Sequence, residues 1–367
     1  MKRLAFVLGV LLLSCGEKQI SDVPIVSFDL SIAKQMNMSE FVDSITLIPL
    51  ETNDSSLIKG VQTLNVTETN IFIEERGNMI VFDKNGTFLY STRHLQGAGP
   101  KNYYSALDFT SFPDGSTEVF DAVKLKLIKY DKESHYISEH KLPREILPVA
   151  WCWYVSEDYR LFAHKSELKL YSVKESKIVN SLKTKEIPHF GFYTRNCFRV
   201  MNNEFFLSMR NQNGFYKLVF DNLKLDMRPI YKLDFGEGKN FNALDLPEGE
   251  TERFYIEYSR NNPRKVYVDE IYVDADKQMC FFIYDNKSYF AYQNNSLKIN
   301  QVYCNIPMTK KQFLPANSYS DGVFYYACEP QALEYVIDEC LMSSDELRKM
   351  ETILEDDNPI IVCYKLK

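Results

Sequence analysis

Three observations predict an all-β fold: six small four-stranded antiparallel sheets closed into a ring, a six-bladed β-propeller. The 367-residue chain holds 25 Phe and 24 Tyr against 14 Gly, a balance that suits strands with bulky side chains. Short apolar or aromatic runs end in polar turns at a recurring interval. Each terminus also carries strand-like residues that have no sheet of their own. Hydrophobic residues at 45% and charged residues at 25% are the mix of a folded chain. The length suits about two ordinary domains or one domain built of repeats. A net charge of -7 argues against a general phosphate-binding surface, so no nucleic-acid partner is expected.

The chain opens with Met1-Lys2-Arg3 and an apolar run from Leu4 to Leu13. A bilayer span needs roughly 20 apolar residues, so this run has the length of a secretory signal core instead. Ser14-Cys15-Gly16 then follows and resembles the bacterial lipobox. That resemblance implies a lipid thioether on Cys15, cleavage before it and acylation of the new amino terminus. Several acyl chains anchor far better than one. Residues 1–14 are thus expected to be a signal peptide, 15–24 a lipidated tether, and 25–367 the propeller. The expected location is the bacterial cell envelope, most simply the outer membrane, with the membrane as partner through the lipid.

Val81-Phe82-Asp83-Lys84-Asn85-Gly86-Thr87-Phe88 shows the repeated strand-turn-strand pattern most clearly. Its counterparts turn at Asp131, Lys174, Asp221 and Gln293, at spacings of 48, 43, 47 and 72 residues. The first three gaps fit one four-stranded blade each. The last is longer because residues 236–265 form an insertion. Five blades are expected at 57–95, 105–143, 147–185, 196–235 and 266–306. The sixth is assembled from Leu314–Tyr319, Val323–Cys328 and Pro359–Leu366, with Ser44–Leu50 from the amino end as its fourth strand. Such closure removes exposed sheet edges. A second insertion, 330–357, holds the one predicted helix, Ser343 to Asp356. A serine can cap it, acids fill its first turn, and Leu347, Met350 and Leu354 recur at helical spacing.

Residues 71–115 resemble the six-bladed β-propeller lipoproteins of Bacteroidota, distant relatives of NHL-repeat propellers. The matching pieces are Ile80 to Gly86, Gly97-Ala98-Gly99-Pro100 and Asp108-Phe109, with Pro49-Leu50-Glu51-Thr52 and Asn358-Pro359 outside that stretch. The sequence departs from the pattern at Glu74-Glu75, where an Asp is usual, and at Arg93-His94, where a Gly is usual. The resemblance implies fold and location far more than chemistry.

In such a ring the turns between first and second strands share one face with the turns between third and fourth strands. The second-to-third turns and the blade-to-blade connectors share the other. Connectors 94–105, 185–196 and 236–265 are long, so the connector face and its channel mouth are the expected binding side. Candidate ligand-binding residues are Arg93, His94, Gln96, Lys101, Tyr103 and Tyr104 from the first connector. Tyr193, Arg195 and Asn196 come from the third, and Tyr255, Tyr258, Arg260, Asn261 and Arg264 from the insertion. Rings beside Arg and Asn suit a glycan or peptide ligand.

Catalytic signatures are scarce. There is no Gly-x-Ser-x-Gly, and His94, His135, His140, His164 and His189 sit in different blades or turns with nothing to mark a catalytic set. No Cys-x-x-Cys or His-x-x-x-His spacing marks a metal, and no Gly-rich phosphate loop opens a helix, so no metal or cofactor is expected. Asp274-Ala275-Asp276 reads as a hairpin turn, and Glu355-Asp356-Asp357 as a solvated one. Glycoside hydrolysis needs two spaced carboxylates, and 50 acids do not single out a pair. Eight Cys less a lipidated Cys15 leave an odd number. Cys152, Cys280, Cys304 and Cys363 sit in apolar runs and read as small buried hydrophobes. An oxidising envelope permits a Cys328–Cys340 bond. The favoured expectation is a non-enzymatic binding or scaffold protein. Its alternatives are a hydrolase or lyase acting on glycans or peptides, and an accessory subunit docked on an outer-membrane transporter.

Overall fold

The computed structural model describes residues 23–164, 167–183, 197–201, 204–209, 212–221, 224–247, 252–274, 277–305, 311–320 and 322–367. The signal peptide, Cys15 and nearly all of the expected tether lie outside them.

The amino-terminal part of the described chain contributes β1 (Ile25–Ser27), β2 (Lys34–Gln35) and β3 (Val42–Pro49). Blade 1 is β4 (Thr63–Val66), β5 (Asn70–Glu75), β6 (Asn78–Asp83) and β7 (Phe88–Ser91). Blade 2 is β8 (Ala106–Ser111), β9 (Thr117–Asp121), β10 (Lys126–Tyr130) and β11 (Tyr136–Lys141). Blade 3 is β12 (Trp151–Ser156), β13 (Tyr159–His164), β14 (Glu167–Ser172) and β15 (Lys177–Lys183). Blade 4 is β16 (Phe198–Met201), β17 (Glu204–Ser208), β18 (Gly214–Asp221) and β19 (Lys224–Asp234). Helix α1 (Glu252–Asn261) precedes blade 5, which is β20 (Tyr267–Asp274), β21 (Lys277–Tyr284), β22 (Lys287–Asn294) and β23 (Ile299–Asn305). Blade 6 begins with β24 (Ser318–Ser320) and β25 (Val323–Cys328). Helices α2 (Leu333–Val336) and α3 (Ser344–Glu351) intervene before β26 (Ile360–Leu366).

Each blade is antiparallel in chain order, and the sixth runs β24-β25-β26-β3. The amino-terminal strand therefore closes the ring, as the loose ends of the sequence predict. Its register pairs Ile360 with Pro49 and Tyr364 with Ile45. The core lies between blades and is mostly aromatic. Phe41, Phe290, Tyr303 and Phe313 are buried between blades 5 and 6, with ring centroids as close as 4.9 Å. Each ring fully withdrawn from water contributes roughly 2 kcal/mol.

Polar groups join neighbouring blades where backbone would otherwise be orphaned. Buried Asp108 accepts from the Cys152 backbone N–H at 2.7 Å, linking blades 2 and 3. Buried Asn358 accepts from the Ile58 N–H at 2.8 Å and donates to the carbonyls of Glu51 and Ser56 at 2.7 and 3.1 Å. The sequence pieces Glu51-Thr52 and Asn358-Pro359 are thus two halves of one lock, which ties blade 6 to blade 1.

Three outer edges are covered, which blocks strand addition by other chains. Strand β1 lies parallel on β19, and β2 lies parallel on β23. Pro24, the last residue of the expected tether, accepts from the Lys232 backbone N–H at 2.9 Å. On β3, the buried Glu346 of α3 accepts from the Leu47 N–H at 2.6 Å, and Lys349 donates to the Leu47 carbonyl at 3.3 Å.

Some boundaries differ from expectation. Helix α3 ends at Glu351 instead of Asp356, because Asp357 accepts from the Leu354 N–H at 2.8 Å and folds the end into a turn. The first strand of blade 6 is only Ser318–Ser320, with Phe313 buried in the core ahead of it. The 236–265 insertion carries α1, a helix where only a loop is expected. Cys328 and Cys340 are free, the first buried and the second exposed, so the permitted disulfide is not formed.

Candidate functional site

The connector-face candidates are placed first. Arg93 stands in the turn after β7 and donates to Glu75 at 2.6 Å and to the carbonyls of Ser55 and Leu57 at 3.1 and 2.5 Å. It fastens loop to blade. Exposed His94 lies 3.4 Å from the Ser134 hydroxyl, in the turn between the two outer strands of blade 2. Gln96 bridges through its backbone to Tyr103. Lys101 sits 5.3 Å from the Tyr136 ring, and its carbonyl accepts from Tyr130 at 2.8 Å.

Tyr103 is a core residue instead of a presented ring. Its hydroxyl lies 3.0 Å from that of Thr92 and donates to Asn78 at 2.9 Å, and burial pushes its pKa up to about 12. Tyr104 is exposed, and its backbone donates to Asp121 at 2.5 Å. The connector is drawn outward because Lys124 donates to the carbonyls of Gly97, Gly99 and Asn102. It therefore drapes over the outer half of blade 2, away from the channel.

Tyr193, Arg195, Asn196 and His189 lie outside the described residues. In the insertion, Tyr258 packs on Phe241 with centroids 5.7 Å apart, within a small satellite core that includes Tyr255 and Tyr267. Arg260 borders a 220 Å³ hollow with Tyr255, Ser259 and Tyr267. None of the described connector-face candidates lines the cavity in the central channel.

The channel holds a cavity of about 340 Å³ lined by residues from the first strand of every blade. The contributors include Asn65 (β4), Ser111 (β8), Trp153 and Tyr154 (β12), Phe198, Arg199 and Val200 (β16), Tyr272 (β20) and Ser318 (β24). Each lies within a few residues of the first-to-second turn of its blade. The cavity therefore opens on the face opposite the long connectors. This cavity is built by strands and not by the long connectors.

Its walls divide into three kinds of surface. Trp153 and Phe198 stack at 4.8 Å and 8°, giving a flat apolar wall. A polar collar follows, in which Asn65 bonds the Ser111 hydroxyl and the Val66 N–H donates to Ser318 at 3.2 Å. Arg199 is the third element. Its guanidinium lies 4.0 Å over the Tyr272 ring, and its buried Nε has no hydrogen-bond partner. Tyr272 is fixed beneath it by a 2.9 Å bond to the Ala316 carbonyl and by Glu270, and burial pushes its phenol well above the ordinary range.

The wall is braced from behind. Arg160 and Glu118 form a buried two-pronged pair at 2.6 and 2.7 Å, and the same guanidinium lies 4.7 Å from the Tyr154 ring. Burial opposes the Arg160 charge, but Glu118 holds its pKa above the ordinary value. Arg199 is the one charged side chain in the described lining, which contains neither carboxylate nor histidine. Among the described residues no group of three or more His, Cys, Asp or Glu is placed to hold a metal ion.

A family match runs over residues 23–365, and its description is a domain of unknown function, DUF4934. The chain belongs to the DUF4934 family. No curated protein matches this DUF4934 chain. Among solved structures it is similar to a presumed exported protein of Bacteroides fragilis, with TM-score 0.65, 14% identity, and coverage of 94% of this chain and 99% of that one. It is also similar to a DUF4221-family member of Bacteroides vulgatus, with TM-score 0.51, 10% identity, and coverage of 89% and 97%. At these identities the likeness concerns the fold. Among the described residues no helix is long and apolar enough to cross a membrane.

The cavity residues that the sequence does not single out, Trp153, Phe198, Arg199 and Tyr272, belong to β-runs and carry no motif. Aligning the first strands of the six blades on the turn that follows each is the signal that would have found them, since each cavity position lies within a few residues of that turn.

Proposed function

We propose that this DUF4934 protein is a binding protein of the bacterial envelope, non-catalytic, with its ligand seated in the channel mouth opposite the long connectors. One observation carries the reading: all six blades contribute to a single cavity that combines a flat aromatic wall, a polar collar and one cation. Ligand sites take this form, apolar surface for area and a few polar groups for orientation. The described lining offers hydroxyls but neither carboxylate nor histidine, and Glu270 beside it is bonded to the buried Tyr272 phenol, which favours binding over acyl or glycosyl transfer.

The envelope half of the proposal rests on the Met1-to-Cys15 segment and on the exported neighbour. A lipid on Cys15 would hold the propeller at a membrane through the chain that enters along β1. Metabolic labelling with an alkyne fatty acid checks this: label on the native protein and none on Cys15→Ser is expected.

The site is tested with Val200→Trp, a substitution at a 55% exposed position that fills the cavity mouth. Glycan and peptide arrays probed with residues 23–367 should give hits that this variant loses. Hits kept by the variant, or turnover of a bound compound, would contradict the proposal.

A further inference from the structure

Building on that reading of the cavity, we infer that its ligand presents a carboxylate to Arg199 and lays an adjoining flat, partly apolar group on the Trp153–Phe198 wall. Arg199 makes no ion pair with any described carboxylate, and its Nε is buried without a hydrogen-bond partner. A buried donor left unmade is costly, more so on a charged group, and a ligand oxygen would relieve it. A guanidinium presents a planar fork that fits a carboxylate with two parallel bonds. Tyr272 holds that plane from one side at 4.0 Å and is itself locked, so the fork is oriented before a ligand arrives.

The rest of the lining fits the same ligand. The lining itself holds no carboxylate, Glu270 beside it being engaged with the Tyr272 hydroxyl, and Thr110, Ser111 and Ser318 supply hydroxyls that can donate or accept. The 340 Å³ volume suits one sugar ring or one to two peptide residues, not a polymer threaded through the ring. A sugar acid and a peptide carboxyl terminus share this chemistry.

The test uses two matched pairs of probes on residues 23–367: methyl glucuronide against methyl glucoside, and Ala-Phe against Ala-Phe amide. Trp153 is one of only two tryptophans, so intrinsic fluorescence reports occupancy, with calorimetry for affinity. At least one acid should bind tenfold or more tightly than its neutral partner, and the pair that responds identifies the source. Arg199→Gln should abolish the difference with an unchanged melting curve. Arg199→Lys, which keeps the charge and loses the fork, should retain part of it. Acid and neutral forms binding equally would overturn the carboxylate inference and leave the cavity as the site. No response to any probe would overturn both.

Discussion

The carboxylate of Glu75 takes the guanidinium of Arg93 at 2.6 Å, and these two residues are both departures from the propeller-lipoprotein pattern. Glu75 belongs to Glu74-Glu75 and Arg93 to Arg93-His94, the two places where the sequence departs from the pattern it resembles. The longer acid reaches the loop N–H of Lys59 at 2.5 Å, and Arg93 closes over it onto two loop carbonyls. The two side chains act as a pair. Arg93→Ala should cost about 2 kcal/mol in urea unfolding, since it strands a charge-assisted hydrogen-bond partner. Adding Glu75→Gln to that variant should recover part of the loss.

The Arg160–Glu118 pair should behave more severely, because both side chains are buried. Removing either partner leaves an uncompensated charge, at a cost of about 3 to 5 kcal/mol. Replacing both should cost much less than the sum of the single changes. Additive losses in a double-mutant cycle would show that the two groups act separately.

Gly86 has φ +88°, and a Cβ there would collide with the Pro49 carbonyl oxygen on the closing strand. Gly86→Ala should therefore destabilise by about 2 kcal/mol and loosen the amino-terminal strand first. Hydrogen exchange in residues 42–49 is the readout.

Acid should weaken the start of the 236–265 insertion. The Asn240 side chain and the Gly236 N–H hold the Asp234 carboxyl below its ordinary 3.8. A depressed folded pKa means stability that is complete above pH 3.8 and is lost as pH falls through the folded value. Melting temperature should decline over that range, and Asp234→Asn should flatten the decline.

The thiols give a compact check on burial. Ellman's reagent should find one fast thiol in native residues 23–367, the exposed Cys340, and a slower half-buried Cys304. Burial and the neighbouring Glu329 push Cys328 up to about 12, so it should react only on unfolding. Mass spectrometry showing a Cys328–Cys340 bond would contradict the structure.

Most of the ring was legible in the sequence because its signals are local. The Asp83 carboxylate accepts from the N–H groups of Asn85 and Thr87 at 2.8 and 2.9 Å, and Asp131 repeats this in blade 2 with Ser134 at φ +62° in place of the glycine. Ser44–Leu50 announced itself as a strand without a sheet. Helix α1 was illegible because Phe254, Tyr255 and Tyr258 are residues strands also favour, and they turn inward only because Phe241 waits for them. The site was illegible for a different reason. Arg199 and Tyr272 meet only once six separated strands converge, and nothing local in either strand records that meeting.

The most direct test is a crystal of residues 23–367 soaked in 4-iodobenzoate, with the iodine located by its anomalous signal. The account predicts a peak inside the channel cavity with the carboxylate on Arg199. A peak found only beside Arg260 or elsewhere on the connector face would contradict it.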